Sequence, residues 1–287
     1  MRAKFEEKTY ENYFNSELAR QTDIYFPLGQ VQEGSLGFDS SALSSNRRLW
    51  RRLGHPFWFF PPFAGLELRE IADEMELFLG VTLDNIPRIK TNLLFQYKKP
   101  TYITIALGAE WTHWNEPYYR YDIYKEQQDL LMHIDNQFGT RVFIVYASPA
   151  LHDVNDLVTA HLNRQIINIS NFRKASELNT HHRNTYIQSG TFSIACSEPE
   201  KIENFDLIKT IDSANSDNYK TDETNRTAII NFRKQIVSVM SENQYYSNSF
   251  KKLNEQYAKI EKYELFYSHL VLSNFRQLTG TQWLAKI

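Results

Sequence analysis

Two kinds of pattern alternate along this chain: apolar positions that recur every three to four residues, and runs that alternate strictly or stay apolar throughout. In residues 9–22, Tyr10, Tyr13, Phe14 and Leu18 recur at helical spacing, and Glu17 lies on the same stripe. DIYFPLGQ then reads as a short strand stopped by Pro27 and Gly29. GSLGFDSSAL follows it, with Gly34 and Gly37 turning the chain just before Asp39, a place where an aspartate also serves as a turn or cap residue. Residues 92–98 read as a strand; side chains alternate across a strand, so Gln96 and Lys98 share one face and Phe95 and Tyr97 the other.

TYITIAL alternates as a second extended piece and YYRYDI as a third. KEQQDLLMHIDNQFG reads as a helix with Leu130, Leu131 and Ile134 inward and Gly139 as its stop. The nearly continuous apolar run 142–147 is the strongest strand, expected at the centre of a mixed sheet with helices on both faces. Residues 153–163 and 170–178 look helical or irregular, and HHRNTYIQSGTFSIACSEPEKI offers one more extended stretch.

Two segments break the core pattern. Residues 44–90 do not alternate and read as an insertion: a basic-aromatic cluster (Arg47, Arg48, Trp50, Arg51, Arg52), a turn at Pro61 and Pro62, then a helix near 66–79. Residues 206–226 are polar enough for a linker or long loop, and 227–287 are helix-like, with Ile229, Phe232 and Ile236 first and Leu265, Leu270 and Phe275 later. The expected organisation is one α/β domain over 1–205 and a helical C-terminal region suited to a homodimer or a partner subunit.

Composition narrows the class. The 287 residues carry a formal net charge of -2 and are 42% hydrophobic, as in ordinary soluble globular proteins and unlike a polycationic packaging protein. The single cysteine, Cys196, excludes an intrachain disulfide framework and a multi-cysteine zinc site, and no apolar run is long enough for a membrane span. A reducing, cytoplasmic setting is therefore expected. His152, His161, His181 and His182 match no zinc spacing, no Walker-type glycine loop is present, and YASPA lacks the glycines of a nucleophile elbow.

The chemistry-bearing residues left are Glu17, Asp39, Gln96 and Lys98. GFD at 37–39 and QYK at 96–98, in the order helix, strand, strand, insertion, strand, helix, strand, resemble the αβββαβ restriction-endonuclease-like core of the PD-(D/E)xK nuclease superfamily. The form with glutamine before the lysine is similar to the D-QxK variants of Mrr-type nucleases. The resemblance covers about half the chain.

That resemblance implies a phosphodiester hydrolase using Mg²⁺ or Mn²⁺, acting on DNA in preference to RNA, in restriction or anti-phage defence. Asp39 would be the central metal ligand, Glu17 a second carboxylate and Gln96 a neutral oxygen ligand. Lys98 would position the attacking water and stabilise charge on the phosphate. Arg47, Arg48, Trp50, Arg51, Arg52, Lys99 and Gln128 would contact the nucleic acid or support the site, although Gln127 and Gln128 also read as solvated helix residues. Glutamine in place of an acid also fits a different reading, a catalytically inactive nuclease-like subunit that binds nucleic acid or a partner protein.

Overall fold

A computed structural model of the chain describes residues 1–27, 68–189, 192–214 and 223–287. The described chain groups into two compact units. The first takes 1–25, 89–221 and 279–287, and the second takes 26–88 and 222–278. Asp39 and the cluster Arg47, Arg48, Trp50, Arg51 and Arg52 lie outside the described residues.

The first unit is α/β and is built on a mixed five-stranded sheet. Helix α1 (Glu7–Gln21) leads into the two-residue strand β1 (Ile24–Tyr25). Strand β2 (Thr91–Tyr97) is buried at every position and lies parallel to β5 (Val142–Pro149), with Gln96 opposite Tyr146. Helix α4 (Lys125–Phe138) precedes β5, and Gly139 ends it at φ +54°, a conformation that glycine adopts without a Cβ penalty. Strand β6 (Ser170–Lys174) runs antiparallel to β5, in a segment expected to be helical or irregular.

The other side of β2 holds a strand that the pattern did not predict. Residues expected to be helical to the end of the chain instead close with strand β10 (Thr281–Lys286), antiparallel to both β2 and β1. The sheet order is β1-β10-β2-β5-β6. Both edges of β2 are therefore filled, one by β10 and one by β5.

The alternation along β2 distributes its side chains as expected. Phe95 and Tyr97 face α1, where the Phe14 ring lies 5.4 and 5.5 Å from theirs. Burying a side chain such as Phe14 contributes about 2–3 kcal/mol. Gln96 and Lys98 project from the opposite face, toward α4. Helices thus cover both faces of the sheet, as its apolar strands require.

A second, wholly antiparallel sheet belongs to the same unit. Its strands are β3 (Thr101–Ile103), β4 (Tyr118–Asp122), β7 (Arg183–Tyr186), β8 (Ser193–Cys196) and β9 (Glu200–Ile202), in that spatial order. Between β3 and β4 lies the single-turn helix α3 (Trp111–Trp114). Helix α5 (Val154–Leu162) follows β5. The start of the expected polar linker is helix α6 (Leu207–Ser213), with Leu207 and Ile211 buried and Asp206 as its cap.

The second unit is helical where it is described: α2 (Leu68–Asp84), α7 (Asn225–Glu242), α8 (Ser247–Glu255) and most of α9 (Glu264–Thr279). Glu76 of α2 fixes the start of α9, accepting from Leu265 N and Phe266 N at 3.0 and 2.9 Å, while its other oxygen takes Arg226. A carboxylate at a helix N-terminus satisfies orphan amides and meets the positive end of the helix dipole. The helix expected within 44–90 and the C-terminal helices are consequently parts of one body.

Candidate functional site

The end of β2 carries the motif. Lys98 continues the ladder past the strand, its N–H donating to Ala147 O at 2.9 Å, so its side chain leaves on the same face as Gln96. Burial is nearly complete, with 7% of Lys98 exposed. The ammonium donates to Gln127 Oε1 at 2.9 Å and lies 5.1 and 5.5 Å from the ring centroids of Tyr124 and Tyr146. Such rings give a cation modest electrostatic support.

Gln127 ties the two motif residues together. Its amide nitrogen donates to Gln96 Oε1 at 2.9 Å and to Thr279 O at 2.5 Å, while its oxygen holds Lys98. Gln96 Oε1 also accepts from Thr281 Oγ1 at 2.9 Å, and Gln96 Nε2 donates to Tyr97 O at 3.3 Å. Thr281 is the register partner of Gln96 on β10. Gly280, at φ +69°, makes the bend into that strand; a Cβ there would lie 3.5 Å from Gln96 Nε2, an ordinary contact.

Charge at the site is set by burial. Desolvation pushes the Lys98 amine down from 10.5 to about 8, against the pull of Glu7 and Asp122. Desolvation also raises the carboxyl of Glu7, in the first turn of α1, with Lys98 and the Lys99 N–H opposing it; that N–H donates to Glu7 Oε2 at 3.1 Å. Glu7 and Asp122 are thus the carboxylates whose charge reaches Lys98.

Glu17 is engaged elsewhere. Helix α1 covers the face of β2 opposite the one from which Gln96 and Lys98 project. The Glu17 carboxylate, buried, accepts from Ile166 N at 2.7 Å, Ile167 N at 3.3 Å and Gln21 Nε2 at 3.0 Å. It fastens the turn before β6. A carboxylate on the inward stripe of a helix is thus held by backbone amides.

Of the remaining expected contacts, Lys99 points its ammonium at Glu6, 3.6 Å away, in a pair whose acid is exposed and contributes little. Gln128 is buried: its oxygen accepts from Tyr146 OH and its nitrogen donates to Ala175 O, both at 2.7 Å. It is a support for β5 with no open edge for a ligand. The pattern underrated both glutamines. The usable signal was that Gln127 lies three, four and seven residues before Leu130, Leu131 and Ile134, on the inward stripe of α4.

Of the expected metal ligands, Glu17 and Gln96 do not converge, and Asp39 lies outside the described residues. The Gln96 oxygen receives two protein donors, and both oxygens of Glu17 are taken by donors on the other side of the sheet. A hard cation requires oxygen lone pairs that converge and are free. Among the described residues, no three His, Cys, Asp or Glu side chains cluster as a metal site. Comparison of the chain with protein-family models, with curated proteins and with solved structures finds no match. No described helix is long and apolar enough to cross a membrane.

Proposed function

We propose that the chain is a nuclease-like protein that binds nucleic acid and does not cleave it through a bound Mg²⁺. One observation carries this reading: the amide of Gln96, standing where the motif has an acid, is locked between Gln127 and Thr281. The sequence supports the choice of ligand through Arg47, Arg48, Arg51, Arg52 and Trp50, residue types that grip phosphates and stack on bases.

The test is titration calorimetry with Mg²⁺ and Mn²⁺ on the wild type and Asp39→Ala, with and without a DNA duplex. Duplex binding is measured separately by fluorescence anisotropy. The expected result is duplex binding without metal, weakened when the four arginines become alanine, and no metal heat that depends on Asp39. Metal binding abolished by Asp39→Ala would overturn this reading and restore the Mg²⁺-dependent nuclease.

That second reading has its own support. Lys98 is a buried amine that changes charge near pH 8, under the charges of Glu7 and Asp122, and such perturbed groups concentrate at reactive sites. If duplex cleavage is found and Lys98→Met abolishes it, the site is catalytic, and a role in defence against foreign DNA becomes its natural setting.

A further inference from the structure

The first unit also contains a cleft of about 430 Å³ that shares no residue with the Lys98 cluster. Its lining includes Tyr102, Glu116, Tyr119, Ala150, Ile169 and Ile187. Tyr102 and Tyr119 come from paired positions on β3 and β4, and their rings stack at 4.6 Å. The His152 ring stacks on Tyr102 at 4.5 Å, and the Tyr186 ring supports Tyr119 at 5.7 Å. The aromatic wall is therefore braced by neighbouring rings, while Ile169 and Ile187 supply apolar surface.

Two polar groups at this cleft lack partners among the described residues. Tyr119 is 9% exposed, yet no described residue hydrogen-bonds its hydroxyl. Glu116 is exposed at the rim and pairs with no described Lys, Arg or His. The Tyr119 ring is largely buried while its hydroxyl reaches solvent at the cleft, where it is open to what enters.

We propose that the cleft binds a guanine base. A carboxylate only accepts hydrogen bonds, and it can take two at once. Guanine presents adjacent N1–H and N2–H donors on its Watson–Crick edge; adenine and cytosine present a single exocyclic amine there, and uracil sets one N–H between two carbonyls that repel an anion. The tyrosine wall and the isoleucines suit a flat ring, and the Tyr119 hydroxyl supplies a donor for O6 or N7. The volume falls in the range of small-ligand sites and leaves room for a sugar. The source is an unpaired base in a nucleic acid, which rests on the reading proposed above, or a free guanine nucleotide.

The experiment is titration of the full chain with GMP, AMP, CMP and UMP, followed by saturation-transfer NMR or calorimetry. GMP is expected to bind about tenfold more tightly than AMP, as one or two hydrogen bonds to a charged group imply. Glu116→Gln should erase that preference, and Tyr119→Phe should weaken GMP about threefold to tenfold. Absence of GMP binding, equal binding of GMP and AMP, or a preference that survives Glu116→Gln would each overturn the assignment. Competition by single-stranded GpGpG against GMP, with ApApA as control, then separates the sources. Displacement by GpGpG assigns an unpaired base. GMP binding without displacement assigns the free nucleotide, so the cleft stands even where duplex binding fails.

Discussion

Lys98 Nζ and Gln127 Oε1 lie 2.9 Å apart, and this bond is the only one the buried ammonium makes to a described side chain. A neutral amide offsets the loss of hydration poorly, which is why the amine sits near 8 instead of 10.5. The sign of the resulting pH dependence follows from proton counting. Between pH 8 and 10.5 the unfolded chain still holds a proton that the folded chain has released, so stability rises with pH through that window. Tyr118 and Tyr119, both pushed up to about 12 by burial first, act oppositely above pH 10, where the folded chain keeps protons the unfolded one loses. Urea unfolding at pH 7 and 9.5 should therefore show the wild type gaining about 2 kcal/mol relative to Lys98→Met. A difference that stays flat with pH would refute the buried cation.

Gln127 joins Gln96, Lys98 and Thr279 O, so its removal leaves three polar groups short of a partner. Gln127→Leu is expected to cost about 2–4 kcal/mol in chemical denaturation. Glu126→Ala, one residue earlier on the exposed face, should stay within about 0.5 kcal/mol. Equal effects would mean that the polar cluster does not form in solution.

Glu17→Ala separates structure from catalysis. Loss of its bonds to two backbone amides should destabilise the first unit by about 2–3 kcal/mol and speed hydrogen exchange at Ile166 and Ile167. Affinity for Mg²⁺ and for duplex should not change once folding is accounted for. A selective loss of metal binding would place Glu17 at a metal.

Gly280 holds φ +69° between α9 and β10, and a Cβ there meets only ordinary contacts. Gly280→Ala therefore isolates backbone strain, expected at about 1–2 kcal/mol by thermal unfolding. A neutral result would show that the bend relaxes.

The parts of the fold legible in the sequence were those whose patterns are redundant. Helix α1, strand β2, helix α4 and strand β5 each carry a long periodic or apolar signal, and alternation correctly divided Phe95 and Tyr97 from Gln96 and Lys98. Strand β10 escaped because TQWLAK is buried on both faces without being apolar. Thr281, Gln282 and Lys286 bond to Gln96, Asn15, Thr22 and Asp212, partners remote in sequence. The second sheet was legible in part: TYITIAL, YYRYDI and the stretch holding RNTY and SIAC read as extended, but strands of three to five residues give a period too short to fix their ends or their pairing. At the site, spacing showed which side chains share a strand face. It carried no information on which face α1 would cover, and the carboxylate of Glu17 is bound to the backbone before β6 on the other side of β2.

The place of β10 in the sheet has a consequence for how the chain is made. Gln96 and Thr281 are 185 residues apart, yet they are register partners beside the motif. During synthesis, β2 emerges from the ribosome long before the strand that covers its edge, and it carries fully buried apolar residues in the meantime. An uncovered central strand is a template for pairing with another chain. Nascent chains stalled before Thr281 should consequently recruit holding chaperones, and release should coincide with the appearance of Trp283, whose indole N–H locks onto Asn92 at 2.9 Å.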